Sequence, residues 1–355
     1  MFKRRRTLVR ADSIFDPAHG YTADRFILVE DGVIQQITPH FDMSRVDTQD
    51  IEVVDCTGYT ISPPFSDYHL HFFTKDETVL SKIASGLASS GITKVYEAGD
   101  IRLSGLEAKN LLGCNISVMA SGYAIYKRDG YGGFLGRGVA DAAEAEREIG
   151  TLISYGVDYI KIINSGIFIP QSGSVSAGEF ERGELAVIID YAHRMGLPVA
   201  CHANTDVRVR DAVYAGADMI VHGFFATAET LSLMAERGTS LIPTVTALSY
   251  LKKAETSPEA VRSIDTSVRE HLDMVARAKD MGISVLPGSD AGSAFIPYGT
   301  TFLRELGYLA EAEFSVEEIL KAATAEPLKE GAPAGFLAVD GYLPQRVFID
   351  GAELA

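Results

Sequence analysis

The sequence predicts an α/β fold, a (β/α)8 TIM barrel accompanied by a small β-sandwich domain formed from the N- and C-terminal segments. Three observations carry that expectation. Eight short apolar, β-rich runs alternate with helix-like stretches through the middle of the chain, whereas both ends carry short strands joined by turn residues. The length, 355 residues with 46% hydrophobic composition, suffices to bury one large core and a smaller appendage. A parallel strand covered on both faces reads as nearly continuous apolar sequence, and eight such units alternating with helices are the pattern of a closed barrel.

The elements follow in order. Residues 1–60 contain "RTLVRADSIFD", "RFILVEDGVIQQITP" and "IEVVDCTGYT", short strands in which Asp31-Gly32 marks a hairpin turn. The barrel runs are "YTISPPFSDYHLH", "GITKVYEAGD", "NISVMASGYAI", "VDYIKIINSG", "LPVACHA", "ADMIVHGFF", "TSLIPTV" and "ISVLPGSDAG". Between them, "GEFERGELAVIIDYAHRMG" and "SVREHLDMVARAKDMG" have helical character and end at Gly, a common helix stop. The tail "QRVFIDGAELA" returns to a strand and a turn. The expected division is 1–60 plus 336–355 for the small β domain and 61–335 for the barrel.

Charge and cysteine content narrow the partners. Thirty-two basic against 48 acidic residues leave a net charge of −16, with no basic run beyond "KRRR" to track a phosphate backbone, so nucleic acid is excluded as an expected partner. No segment of about 18 apolar residues suggests a membrane span, and the opening residues lack the apolar core of a signal peptide. Cys56, Cys114 and Cys201 are odd in number and lack CxxC spacing, which fits a reducing compartment. The expectation is a cytoplasmic protein acting on a small-molecule substrate, with homo-oligomeric assembly allowed.

The chemistry concentrates at strand ends. His69 and His71 follow the first barrel run, Lys161 lies in the fourth, His202 in the fifth, His222 in the sixth and Asp290 in the eighth. Barrel active sites are built at the C-terminal ends of the strands. The two-residue spacing of His69 and His71 directs both imidazoles to one side, with Asp67 behind them. A lysine in an apolar strand is costly as an ammonium and shifts toward the neutral amine, the form that adds carbon dioxide. The resulting carbamate is an anionic ligand able to bridge two cations about 3.5–4 Å apart. Nitrogen and oxygen donors without thiolate favour zinc first, then manganese, cobalt or iron.

With these residues in view, the chain resembles the amidohydrolase superfamily, binuclear-metal type, and within it the imidazolonepropionase-related, prolidase-like branch. "DYHLHF", "YIKI" with "NSG", "VACHA", "MIVHG" and "LPGSDAG" match its motifs in order. The resemblance implies two divalent metal ions, N6-carboxylation of Lys161 as the bridge, His69, His71 and Asp290 on one metal, and His202 and His222 on the other. It further implies cleavage of amide C–N bonds, of N-acyl amino acids, dipeptides or cyclic amides, by a metal-bridging hydroxide with Asp290 as proton shuttle. Mononuclear deaminases of the superfamily carry Glu three residues after the third-motif His. Thr205 stands there, which disfavours deamination.

Plainer readings compete with each residue. Lys161 could snorkel to solvent and Asp290 could serve as a turn or helix cap; agreement of five motifs weighs against both. His193 and His271, on predicted helices, are read as solvated or satisfied surface residues, and His19 and His40 are given no role. Tyr123 and Tyr126, in the loop after strand three, are the candidate substrate-binding residues, and 164–180 is a candidate lid. Two alternatives stay open: a lactonase or phosphotriesterase using the same site, and an inactive barrel acting as a binding protein.

Overall fold

The computed structural model describes residues 6–42, 51–113, 116–255, 257–293 and 296–354. Cys114 lies outside them. The chain divides into two compact units, one drawn from Met1–Ser66, Gly86–Thr93 and Ser315–Ala355, the other from Asp67–Ser85 and Lys94–Phe314.

In the first unit, strands from both chain ends join one sheet. Ile51–Ser62 pairs in parallel with Arg6–Asp16 on one side and antiparallel with Phe336–Asp340 on the other. Phe26–Glu30 and Val33–Thr38 form the hairpin, and its turn residues Asp31 and Gly32 both have positive φ (51° and 80°), as a type I′ turn requires. The apolar side chains this alternation turns to one face, among them Ile14, Ile27, Ile34, Ile61, Phe336 and Phe348, pack in a single cluster.

The barrel strands in order are Phe65–Leu70, Ile92–Glu97, Ser117–Ala120, Ile160–Ile163, Val199–Ala203, Met219–His222 and Ser240–Ile242; apart from the first two residues of each of the first two strands, they belong to the second unit. Pairing is parallel wherever strands four to seven meet. All four residues of strand four and all five of strand five are buried, as expected of strands covered on both faces. Strand three bends at Gly122 (φ 78°) and continues as Ala124–Lys127, which pairs with strand four.

The eighth run departs from the expected strand. Its strand pairing is limited to isolated bridges from Leu241 to Val285 and from Leu70 to Ala291, accompanied by backbone bonds from the Tyr68 N–H to the Pro287 carbonyl at 3.0 Å, from the Leu286 N–H to the Leu241 carbonyl at 2.8 Å and from the Asp290 N–H to the His69 carbonyl at 2.7 Å. Pro287 has no N–H to donate, and Asp290 has φ 54°, so a regular ladder cannot form there. These contacts still close the ring. One cluster accordingly draws Tyr68, Tyr96, Met119, Tyr159, Ala200, Val221, Ile242 and Leu286 from all eight strand positions. No helix among the described residues is long and apolar enough to cross a membrane.

Candidate metal centre

His69, His71, Lys161, His202, His222 and Asp290 line one cavity of about 430 Å³. Potential ligand atoms of His69, His71 and Asp290 all lie within 4.8 Å of one another. Asp290 Oδ1 is 3.6 Å from His69 Nε2 and 3.5 Å from His71 Nε2. The rings continue around the barrel, His69 to His222 at 5.6 Å and His222 to His202 at 4.6 Å between centroids.

Each imidazole beyond His69 is held by a bond on one nitrogen, which leaves the other free. His71 Nδ1 faces the Gly99 carbonyl at 3.0 Å, and His222 Nδ1 faces Thr244 Oγ1 at 2.6 Å. His202 is turned the other way, with Nε2 3.0 Å from the Gly166 carbonyl. Such partners fix tautomer and ring orientation in metal sites. Asp67 braces the group from behind. Its carboxylate accepts the His69 and Ser289 N–H groups at 3.1 and 3.0 Å and the Ser289 hydroxyl, tying strand one to the eighth run beside Asp290.

Burial sets the electrostatics. It holds His71 and His202 down at about 3, with Lys161 adding to the effect, and holds His69 and His222 well below the usual imidazole range. The contacts between Asp290 and these histidines are therefore not ion pairs but neutral nitrogens facing a carboxyl group. Burial pushes Asp290 up to about 7 against the opposing pull of Lys161, and pushes Lys161 down to about 8. The Lys161 amine is fully enclosed and has no hydrogen-bond partner among the described residues. An ammonium left so is costly, and an amine converted to a carbamate would gain acceptors that a cation satisfies. Four free imidazole nitrogens, a carboxyl group and an orphaned amine suit divalent metal.

The backbone is strained at and beside these candidate ligands. His222, Thr244 and Asp290 adopt positive φ (69°, 48° and 54°), a conformation costing non-glycine residues about 1 kcal/mol or more each. Packing of the strand ends must overcome that cost to hold the side chains inward.

Other expected residues fall elsewhere. Tyr123 is buried with its hydroxyl donating to Glu148 at 2.6 Å, and neither it nor Tyr126 lines the cavity. From the same loop Tyr131 does, 5.9 Å from the His202 ring. Lys127, Arg128 and Arg137 pair with Glu184, Glu144 and Glu148. The segment after strand four forms a short hairpin, Phe168–Ile169 with Ser174–Val175, and Ile167 and Phe168 reach the cavity. Asp100, Arg102, Phe134, Asn204 and Phe224 also line it without having been singled out; the one available signal was their position just past strand ends.

His271 is a correction. It is 3% exposed, its Nε2 lies 2.8 Å from the Pro243 carbonyl, and its ring meets Phe224 edge-on at 4.7 Å. It sits on the packed face of Pro258–Asp280, in register with Ile264, Val268 and Val275. His193, by contrast, is solvated and paired with Asp218 at 2.8 Å. Cys201 is buried, its thiol pushed up to about 12 by burial.

A sequence model of the Amidohydrolase family matches residues 60–329. Ochratoxinase of Aspergillus niger is 26% identical over 264 residues, covering 71% of this chain; the chain spans only about half, 51%, of that relative's length. The fold is similar to a solved Xaa-Pro dipeptidase with bound methionine (TM-score 0.81, 21% identity, covering 98% of this chain and 99% of the other). It is also similar to a putative prolidase from Bifidobacterium longum (TM-score 0.81, 22% identity, covering 99% and 94%).

Proposed function

This chain belongs to the amidohydrolase family, and from that premise we propose that it is a metal-dependent hydrolase cleaving an amide C–N bond of a small-molecule substrate. The observation that carries the reading is the convergence on one cavity of four neutral imidazoles, a half-buried carboxyl group and a lysine amine unpartnered among the described residues. His69, His71 and Asp290 would hold one divalent ion and His202 and His222 a second, with Lys161 as its carbamate between them; zinc suits the donors best. When bound, such a pair activates water at neutral pH and polarises a carbonyl.

The remaining steps belong to the chain's own residues. The cavity seats the amide with its carbonyl carbon toward the histidines, and the apolar walls exclude bulk water. As water adds to the carbonyl carbon, Asp290 Oδ1 takes its proton; as the C–N bond breaks, Asp290 returns that proton to the leaving nitrogen. A carboxylic acid and an amine result, and Asp290 ends as it began. Thr244, Gly99 and Gly166 keep the imidazoles aimed throughout.

The test is a panel of N-acyl amino acids, dipeptides and cyclic amides offered to zinc-loaded and to chelator-stripped protein, with release of free amine as the readout. Amine release that depends on metal is expected. Lactone or organophosphate cleavage without any amide cleavage would reject the amide reading.

A further inference from the structure

Asp67, Glu97 and Glu305 are fully buried around the barrel, and one of them is treated differently. Asp67 and Glu305 each accept three hydrogen bonds. Glu97 ends strand two, and both of its carboxylate oxygens are enclosed without a hydrogen-bond partner among the described residues. The same holds for Ser104 Oγ, Ser121 Oγ and Asp100 Oδ2, whose companion Oδ1 accepts the Arg102 N–H at 2.6 Å. Contacts bring these residues together. A Cβ on Gly105, next to Ser104, would lie 1.8 Å from Glu97 Oε2, so the carboxylate rests on the first turn of Ser104–Leu112. The Ser121 N–H donates to the Glu97 carbonyl at 3.1 Å, and the Tyr159 hydroxyl, which Ser121 also faces, donates to the same carbonyl at 2.8 Å. The Gly99 and Phe72 N–H groups lie near enough to favour the charged Glu97 carboxylate, yet neither makes a hydrogen bond with it. Burial, with Asp100 adding to it, pushes Glu97 up to about 8.

We propose that Glu97, Asp100, Ser104 and Ser121 form a separate cation site, apart from the six candidate ligands of the metal centre, and that it takes a hard divalent ion of the calcium class. Buried polar groups without partners call for an explanation, and two carboxylates buried without compensation are costly. Every open donor is an oxygen, the ligand that calcium prefers, and nothing is offered to a metal that favours nitrogen or sulfur. Two carboxylates match a double charge. Magnesium gives up its water reluctantly and suits enclosed oxygens less well. Asp100 lines the catalytic cavity, which gives an ion its way in. Bound there, the ion ties the ends of strands two and three to the helix between them. It also steadies Gly99, whose carbonyl faces His71 Nδ1 at 3.0 Å.

The test uses zinc-loaded protein, so that the metal centre is filled, dialysed against a series of calcium chloride concentrations. Bound calcium per chain and the thermal midpoint are read together. Wild type should hold one tightly bound calcium, and its midpoint should climb with calcium concentration, as linkage requires of a ligand that binds only the folded chain. Glu97→Gln keeps the shape and removes the charge; it should weaken that binding about 100-fold or more and flatten the climb. Ser121→Ala removes one neutral oxygen and should weaken binding about 10-fold with the fold intact. Weak binding to the acidic surface is common to all three proteins and subtracts out. Wild type that binds no calcium, or variants that bind it as wild type does, would overturn the proposal. A Glu97→Gln protein as stable as wild type at every calcium concentration would also overturn it, and would mean that Glu97 is held as the neutral acid. Where Glu97→Gln fails to fold, Ser121→Ala decides alone.

Discussion

Asp290 Oδ1 lies 3.5 Å from His71 Nε2, although the two residues are more than two hundred positions apart, because the eighth run closes the barrel against strand one. The carboxyl group is thus positioned both to ligate and to move a proton. Asp290→Asn should lower kcat by about 10²- to 10⁴-fold, the range for losing a proton-transfer group. Asn tolerates the positive φ at this position, so the fold should survive. Steady-state rates and circular dichroism of the purified variant check both halves.

Thr244 offers a test of orientation rather than ligation. Its hydroxyl faces His222 Nδ1 at 2.6 Å and touches none of the reacting groups. Thr244→Val should weaken metal binding about 10- to 100-fold, and Thr244→Ser should restore most of it. Competition with a chelating dye reads the affinity directly.

Glu305 holds the segment that carries Thr244. Fully buried on Thr300–Glu311, it accepts the Val245 and Thr246 N–H groups at 2.9 and 2.7 Å and the Thr246 hydroxyl at 2.7 Å. Glu305→Gln replaces one acceptor with a donor and should cost about 1–3 kcal/mol. Thermal unfolding of the metal-free protein measures it.

His271 predicts a pH dependence. Burial holds its imidazole at about 4, whereas the unfolded chain takes up that proton near 6.5. The folded state refuses a proton that the unfolded state accepts, so this contribution is fully present above pH 6.5 and is lost as pH falls toward 4, at up to about 1.4 kcal/mol per pH unit. The stability difference between wild type and His271→Gln should therefore shrink across that window, as urea titrations at several pH values would reveal.

What was legible in the sequence had a period or a position. Ile160–Ile163 and Val199–Ala203 announced themselves as buried parallel strands because every residue is apolar or a ligand candidate. His69 and His71 were visible through their spacing, and Lys161, His202, His222 and Asp290 through their place along the strands. Loop residues have no period, and a place past a strand end is shared by lining and solvated residues alike, so Tyr131 and Arg102 could not be told from solvated neighbours. Pro287 signalled the irregularity of the eighth run, but the apolar stretch around it outweighed that signal. His271 was legible but unread, since its spacing from Val268 and Val275 already puts it on the packed face of its helix.

A two-metal centre bridged through Lys161 stands or falls on metal stoichiometry. Chelator-stripped protein is titrated with zinc or manganese in bicarbonate buffer, with bound metal per chain and amide hydrolysis followed together. About two ions per chain are predicted, with activity rising as they fill; Lys161→Ala should lose at least one ion and regain some activity with short carboxylic acids. Wild-type protein that binds no metal and gains no activity under these conditions would contradict the account.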